Sequence, residues 1–277
     1  MKHDTYEKYE DMDTDLPQRA LLTAWDCLCR YHDDLVLAGG LAVKYLTLPP
    51  AQGVPGPVTL DVDFGIHLGA SAGQYSSMKD LLGSHGFDWS HDDKRFLRKF
   101  DELDLYIDLL TEDGESNMGT AIVDDSLPVG TIPGINRALE KHRRVDITGK
   151  TLVGSAMTQS IKVAEVGPML ALKLNAFGGP KGRKSPKDAH DIFYLANHYL
   201  DGVDAAILAF REERAAGNYA ARLAEVALKN YFLDHEAEGP LACVAFQMNN
   251  QHDLPEFAEE SLQLRQQFVT LALELLG

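Results

Sequence analysis

The sequence of 277 residues predicts an α+β fold, in which a small mixed sheet with flanking helices precedes a mainly helical C-terminal domain. Residues 60–66 and 103–110 carry apolar and polar side chains on opposite faces, with the period of a β-strand. From Gly167 onwards, apolar residues recur with helical spacing instead. We therefore divide the chain into a leader and helix (residues 1–33), a sheet-containing core (residues 34–165) and a helical C-terminal domain (residues 166–277).

The N-terminal region predicts a frayed acidic leader over residues 1–15 and an amphipathic helix over residues 16–31. Residues 35–38 then form a short apolar strand that runs into Gly39 and Gly40, before a second helix from residue 41 to about residue 46. Glycines between a strand and a helix let the backbone approach a ligand, and the helix N-terminus favours an anion there. Most such pairs are simple turns, so this pair by itself does not identify a site.

Asp61 and Asp63 follow a loop rich in proline and glycine over residues 49–57. Because they are two residues apart on a strand, both carboxylates point to the same face, where they repel each other. A divalent cation would remove that repulsion, and hard oxygen ligands suit Mg²⁺. The alternative is a solvated edge strand whose acids face water.

Asp108 lies deep in the apolar strand of residues 103–110, which follows a predicted helix (71–86) and a predicted strand (95–100). A buried acid without a partner is disfavoured. Two interpretations remain open for Asp108. It is either a strand-end acid at the water interface or a third metal ligand beside Asp61 and Asp63.

The middle of the chain predicts a loop over residues 112–130 and short β segments at residues 145–153 and 160–166 around Gly149, as a hairpin or as extra strands. In the helix that starts at Gly167, Lys173 stands among apolar residues, so it either extends to solvent or meets an anion. The remaining segments read as helices, except that residues 241–248 suit a helix or a strand.

Ser185 and Asp188 have the spacing of a helix-capping box, which offers Asp188 a purely structural role. However, Asp188 and Asp191 lie on the same helical stripe as Ile192 and Leu195, a placement more typical of a site than of a solvated surface. The pair His190-Asp191 also resembles half of a metal phosphohydrolase site, but the other spaced histidines of such a site are missing.

The net charge of −16 opposes non-specific binding to nucleic acid or anionic membranes. Basic residues are nevertheless clustered at residues 94–99, 141–144 and 181–187, as solvated faces or as local polyanion sites. The sequence contains no apolar run of membrane-spanning length and begins with a polar stretch unlike a signal peptide. Its three cysteines offer no disulfide framework or zinc spacing. We expect a cytoplasmic protein with reduced thiols and no membrane partner.

Four ordered pieces of the chain resemble the AbiEii/AbiGii-type nucleotidyltransferases, a branch of the DNA-polymerase-β-like superfamily. They cover residues 37 to about 195, more than half of the sequence. The pieces are Gly39-Gly40 with Asp61-Val62-Asp63, Tyr106-Ile107-Asp108-Leu109-Leu110, Lys173-Leu174-Asn175-Ala176, and Lys187-Asp188-Ala189-His190-Asp191-Ile192.

The resemblance implies transfer of a nucleoside monophosphate from an NTP to an acceptor hydroxyl. Asp61, Asp63 and Asp108 would bind Mg²⁺, and Gly39 and Gly40 would hold phosphate oxygens. Lys173, with Arg183 or Lys187, would neutralise pyrophosphate, and Asp188 and Asp191 would orient those cations or the nucleotide. The family further implies a toxin or phage-defence component, with a cognate antitoxin as partner and tRNA as a candidate acceptor, bound through the basic clusters at residues 141–144 and 181–187.

The chain departs from the family pattern in two places. The loop between Gly40 and Asp61 is several residues longer than usual, and Pro57 or Val58 stands near the position of an arginine that commonly precedes the acidic strand. Two alternatives therefore accompany the main hypothesis. One is the same fold acting on a small molecule or a protein, and the other is a catalytically silent nucleotide-binding or interaction module.

Overall fold

The computed structural model describes residues 3–10, 15–51, 55–67, 75–91, 95–101, 103–114, 119–123 and 127–277. Its helices are α1 (Glu7–Glu10), α2 (Leu16–Cys27), α3 (Gly39–Leu46), α4 (Met78–Ser84), α5 (Ile135–Glu140), α6 (Val166–Gly178), α7 (Pro186–Asn197), α8 (Val203–Ala215), α9 (Tyr219–Tyr231), α10 (Glu238–Gln247) and α11 (Ala258–Leu276). Its strands are β1 (Leu35–Ala38), β2 (Asp61–Ile66), β3 (Asp88–Ser90), β4 (Arg95–Phe100), β5 (Leu103–Thr111), β6 (Gly119–Val123), β7 (Leu127–Thr131), β8 (His142–Lys150) and β9 (Ala156–Ala164). The α+β class is confirmed, with a mixed sheet and a helical C-terminal region.

The chain divides into two compact units. We call residues 13–45 and 58–165 the sheet unit, and residues 1–12, 46–57 and 166–277 the helical unit. The division after residue 165 coincides with the end of the core expected from the sequence. By contrast, helix α2 belongs to the sheet unit and residues 46–57 belong to the helical unit, so two segments lie outside the domains to which the sequence assigned them.

The sheet unit contains a mixed sheet with the strand order β3-β4-β5-β2-β1-β9-β8, and β7 pairs with both β5 and β6. At its centre β2 runs parallel to β5 and antiparallel to β1. Val62 and Phe64 alternate with Asp61 and Asp63 along β2 and are fully buried. The ring of Phe64 lies 5.9 Å from that of Trp25 on α2, so the apolar face of β2 forms the core of this unit.

The expected loop over residues 112–130 is confirmed for residues 112–114 and is wrong for residues 119–123 and 127–130. Residues 119–123 and 127–131 form the antiparallel pair β6–β7, although Gly119, Pro128 and Gly130 suggested a loop. Pairing of Leu110 with Gly130 attaches the hairpin to β5, so tertiary contact overrides local preference. The predicted helix over residues 71–86 is helical over Met78–Ser84, and residues 71–74 lie outside the described residues.

The helical unit is built around α6, which packs against α7, α8 and α9, while α10 packs against α7 and α11. Residues 238–247 are helical, which decides between the two structures left open for residues 241–248. The expectation of a frayed leader is wrong for residues 3–10. Tyr9 is buried, and the backbone N–H of Tyr6 donates to the carbonyl of Phe246 on α10 at 3.1 Å.

Candidate functional site

Three carboxylates share one face of the sheet unit. Asp63 on β2 lies directly opposite Asp108 on the parallel strand β5, and Asp61 lies opposite Tyr106. Residues two apart on a strand project to the same side, so the three acids emerge together on the face opposite to the buried Val62. The structure therefore brings together the three acids that the sequence singled out, and Asp108 is not an isolated strand-end acid.

Arg95, the first residue of β4, supplies the positive charge that faces these acids. Its Nε donates to Asp108 Oδ1 at 2.8 Å, and its Nη2 donates to the other oxygen of the same carboxylate. Nη2 also lies 3.3 Å from Asp61 Oδ2, and the guanidinium lies 4.2 Å from the centre of the Tyr106 ring. One guanidinium therefore faces three carboxylates, and the group retains an excess of formal negative charge.

The sequence placed Arg95 only in the basic cluster at residues 94–99 and gave it no role beside the acids. The strands predicted at residues 95–100 and 103–110 are adjacent in sequence, and pairing them as a hairpin would have placed Arg95 near Asp108. β4 and β5 pair as an antiparallel hairpin in which Phe96 faces Ile107. Arg95 therefore stands one position further along, next to Asp108.

The electrostatics of the three acids follow from their partial burial. Burial, and after it the neighbouring Asp63, raise the pKa of Asp108 to about 7 against the opposing effect of Arg95. For Arg95 itself, burial lowers the pKa, but Asp61 and Asp108 outweigh burial and raise the pKa above its ordinary value. The side chain of Asp108 remains 25% exposed, so it is accessible to solvent.

The donor set suits a hard divalent cation. Asp61 Oδ1 is a buried oxygen with no hydrogen-bond partner among the described residues. Carboxylate oxygens are the preferred ligands of Mg²⁺, and a second positive charge would offset the repulsion that Arg95 leaves uncompensated. Within the described ranges, however, no group of three or more His, Cys, Asp or Glu side chains is arranged to hold a metal as it stands.

Gly39 brings the backbone against Asp63. Its φ is +67°, and an added Cβ would lie 1.8 Å from Asp63 Oδ2, so a side chain has no space there. Gly40 is similarly close to Thr59, whose Oγ1 accepts from the N–H of Asp61 at 3.1 Å. Helix α3 begins at Gly39 rather than at residue 41 as expected, so its N-terminus lies beside the Asp63 carboxylate.

A cavity of about 300 Å³ adjoins Asp108 at the edge of β5. It lies between two strands that pair with the same edge of β5, since β4 stops pairing at Ile107 and β7 starts pairing at Leu110. Arg95 and Asp108 line it, together with Trp89 and Thr120.

The helical unit contains a second charged cluster, formed by residues of α6, α7 and the loop between them. Lys173 Nζ lies 2.5 Å from Asp191 Oδ2, and Lys187 Nζ lies 2.8 Å from the same oxygen. Asp188 receives a hydrogen bond from Arg183 Nη2 at 2.9 Å and lies 3.7 Å from Lys173 Nζ. Both aspartate side chains are fully buried, and those of Lys173 and Lys187 are only 7% and 3% exposed.

This cluster resolves two alternatives left open by the sequence. Lys173 meets an anion and does not extend to solvent. Asp188 is not merely a cap, because its carboxylate binds cationic side chains, and Ser185 makes no side-chain capping bond. Burial alone would raise the pKa of Asp191, but Lys173 and Lys187 outweigh burial and lower it to about 2. Asp191 Oδ1 is left without a hydrogen-bond partner in the described part of the chain.

His190 is part of the core, and both of its ring nitrogens are engaged in hydrogen bonds. Its Nε2 lies 3.1 Å from the carbonyl of Gly56 and its Nδ1 lies 3.0 Å from Gln247 Nε2. These contacts suit a neutral ring that donates from Nε2 and accepts at Nδ1. Burial lowers the pKa of His190 to about 4.

The two basic clusters proposed for tRNA, at residues 141–144 and 181–187, differ in exposure and belong to different units. In the cluster at residues 141–144, Arg143 Nε lies 3.0 Å from Glu165 Oε1, and Arg144 is exposed. In the cluster at residues 181–187, Lys184 is paired with Glu238 at 2.6 Å, whereas Lys187 is buried.

No helix among the described residues combines the length and the apolar character needed to cross a membrane. The three cysteines are free thiols, as expected. Neither a protein-family model nor a curated protein matches this sequence. The function is therefore inferred from the geometry of the two charged clusters, one in the sheet unit and one in the helical unit.

Proposed function

We propose that the sheet unit is the catalytic part of a metal-dependent nucleotidyltransferase, which moves a nucleoside monophosphate from an NTP to an acceptor hydroxyl. The observation that carries this proposal is the position of Asp63 opposite Asp108 on parallel strands, with Asp61 on the same face and Gly39 against Asp63. Three acids beside a glycine turn at a helix N-terminus suit a site for a cation and a polyphosphate.

In this proposal the acids bind cations and the glycine turn binds phosphate. Asp61 and Asp63 hold the cation that accompanies the triphosphate, Asp108 completes a second metal position, and backbone N–H groups at Gly39 and Gly40 bind phosphate oxygens. Bound Mg²⁺ would supply charge neutralisation and alignment of the attacking and leaving oxygens. Asp108, which remains accessible to solvent, accepts the proton of the acceptor hydroxyl as the new phosphate ester forms and pyrophosphate departs.

The roles inferred for the helical unit are narrower than the sequence suggested. Lys173 and Lys187 are buried, and both pair with Asp191, whose carboxylate partly neutralises their charges. Arg183 is 49% exposed while it contacts Asp188, so it is the cation of this cluster that an anion from solvent reaches most readily. We propose that Arg183 binds a phosphate group and that Lys173, Lys187, Asp188 and Asp191 fix the geometry around it.

The resemblance to AbiEii/AbiGii-type nucleotidyltransferases makes tRNA the first candidate acceptor. The same resemblance suggests a toxin or phage-defence role, with a cognate antitoxin as partner. The exposed Arg144 and the half-exposed Arg183 support a polyanionic acceptor. The net charge of −16 opposes a polyanionic acceptor. Binding of tRNA should therefore depend on the regions around Arg144 and Arg183 and should weaken steeply as the salt concentration rises.

A second candidate is favoured by one observation, the bidentate pairing of Arg95 with Asp108. If that pairing is permanent, the fold binds nucleotide without turnover and acts as an interaction module. Binding of an NTP with no transfer to any acceptor would identify this second function.

The test is Mg²⁺-dependent transfer of label from α-labelled NTPs to tRNA, to small hydroxyl compounds or to protein. We expect transfer by the natural chain and its loss in Asp63→Asn, because the carboxylate charge at that position is gone. Asp146→Asn is a matched control, since Asp146 is an exposed acid on strand β8 of the same unit. Full transfer by Asp63→Asn would refute the proposed mechanism.

A further inference from the structure

Arg95 and a divalent cation require the same carboxylate oxygens. The guanidinium uses both oxygens of Asp108 and approaches Asp61 Oδ2 at 3.3 Å. A hard cation bound by these acids would need those oxygens in its own coordination shell. This overlap gives a physical reason why no metal-holding group is arranged among the described acids as they stand.

Arg95 compensates only part of the negative charge of the three acids. A single positive charge faces three carboxylates, and Asp61 Oδ1 is buried without a hydrogen-bond partner among the described residues. A divalent cation brings twice the charge and accepts an additional oxygen, so it compensates these acids more completely than the guanidinium does.

Arg95 also has space to move. Its side chain is 19% exposed and lines the cavity of about 300 Å³ beside Asp108. Apart from the two acids, its principal contact is the Tyr106 ring, which a guanidinium can leave at a modest cost of about 1 kcal/mol. Rotation of the side chain into this cavity would release the carboxylates without displacement of strand β4.

We propose that Arg95 is a displaceable internal counter-ion, which holds Asp61 and Asp108 in the metal-free protein and is exchanged for a divalent cation when the site is loaded. The inference rests on the proposed function, because it presupposes that these acids bind a cation. It adds a positioning residue that keeps the acids ordered and lowers the affinity of the free protein for metal. Without Arg95, the metal-free protein should bind divalent cations more tightly.

The test measures binding of Mn²⁺ alone, from the electron paramagnetic resonance signal of free Mn²⁺, to nucleotide-free protein. Arg95→Met removes the charge and retains an unbranched side chain over Tyr106. We expect Arg95→Met to bind Mn²⁺ at least about tenfold more tightly than the natural chain, since competition with the guanidinium is gone. Introducing Asp63→Asn into the Arg95→Met protein should remove the tight binding.

Arg98→Met is the matched control, because Arg98 lies on the same strand but donates to the carbonyl of His85 at 2.6 Å. Its Mn²⁺ affinity should equal that of the natural chain. If Arg95→Met does not fold, Arg95→Gln serves instead, since its amide can still donate to Asp108. The folded state of each variant is checked by circular dichroism.

Two results would overturn the inference, and they can be distinguished. If Mn²⁺ binding depends on Asp63 but Arg95→Met and Arg95→Gln bind no more tightly than the natural chain, Arg95 does not compete with metal, while the proposed metal site stands. If no variant shows Mn²⁺ binding that depends on Asp63, both the exchange and the metal-dependent function are wrong.

Discussion

The two charged clusters of this protein are built on opposite principles. In the sheet unit, three acids meet one guanidinium, the acids are partly exposed, and negative charge remains in excess. In the helical unit, three cations surround two fully buried aspartates, and positive charge is in slight excess. Buried ions that are paired at close range hold a structure together once formed, whereas partly exposed and uncompensated ions are suited to bind something else.

The largest expected effect is on stability, through Asp191→Asn. This change leaves Lys173 and Lys187 buried without their shared carboxylate, which should lower the free energy of unfolding by about 3–5 kcal/mol. Asp63→Asn should leave that free energy unchanged or raise it, because it removes one of three mutually repelling acids. Denaturant unfolding followed by circular dichroism measures both.

Equal losses of stability in Asp191→Asn and Asp63→Asn would remove the distinction between a structural and a functional cluster. Arg183→Gln provides a further reference within the helical unit. Arg183 is half-exposed, so its loss should cost no more than about 1 kcal/mol.

The second prediction concerns pH. The pKa of His190 is about 4 in the folded chain and 6.5 when unperturbed, so between these values the unfolded chain binds the proton more strongly. Stability should therefore fall by up to about 3 kcal/mol as the pH decreases from 6.5 to 4. The contribution of Asp191, whose folded pKa is about 2, is present above pH 3.8 and is lost only below that value.

Thermal or denaturant unfolding of His190→Gln should show a flatter dependence on pH between 6.5 and 4. His85→Gln, which changes an exposed histidine, should retain the dependence of the natural chain. An unchanged slope in His190→Gln would mean that another group is responsible for it.

The third prediction concerns the close approach of Gly39 to Asp63 on the acidic face. Gly39→Ala combines an unfavourable φ of +67° with a Cβ that would overlap Asp63 Oδ2, so we expect a loss of about 2–3 kcal/mol. Gly154→Ala has the same kind of backbone strain at φ +88° but nothing within 4 Å, so it should lose only about 1 kcal/mol. The difference between the two unfolding free energies isolates the contact with Asp63. If Gly39→Ala and Gly154→Ala lose the same free energy of unfolding, the side chain of Asp63 rotates away from the added Cβ at no cost.

The parts of the fold with strong periodicity were predictable. Strand β2 has buried Val62 and Phe64 alternating with partly exposed Asp61 and Asp63, and that alternation is visible in the sequence. The hairpin β6–β7 was not predictable in this way, because its glycines and its proline favour a loop in isolation. It forms through pairing with β5, a contact distant in sequence.

The sequence by itself determined which residues carry charge and on which face of each strand or helix they lie, because the periods of strands and helices set these directions. It therefore identified Asp61, Asp63 and Asp108 as candidates. Only the tertiary structure decided their neighbours, since the strand register places Asp108 beside Asp63 and Arg95 against both Asp108 and Asp61. Burial was decided in the same way. Packing of α6 against α7 encloses Lys173 and Lys187 with Asp191, and no local pattern records which charges will lose contact with water.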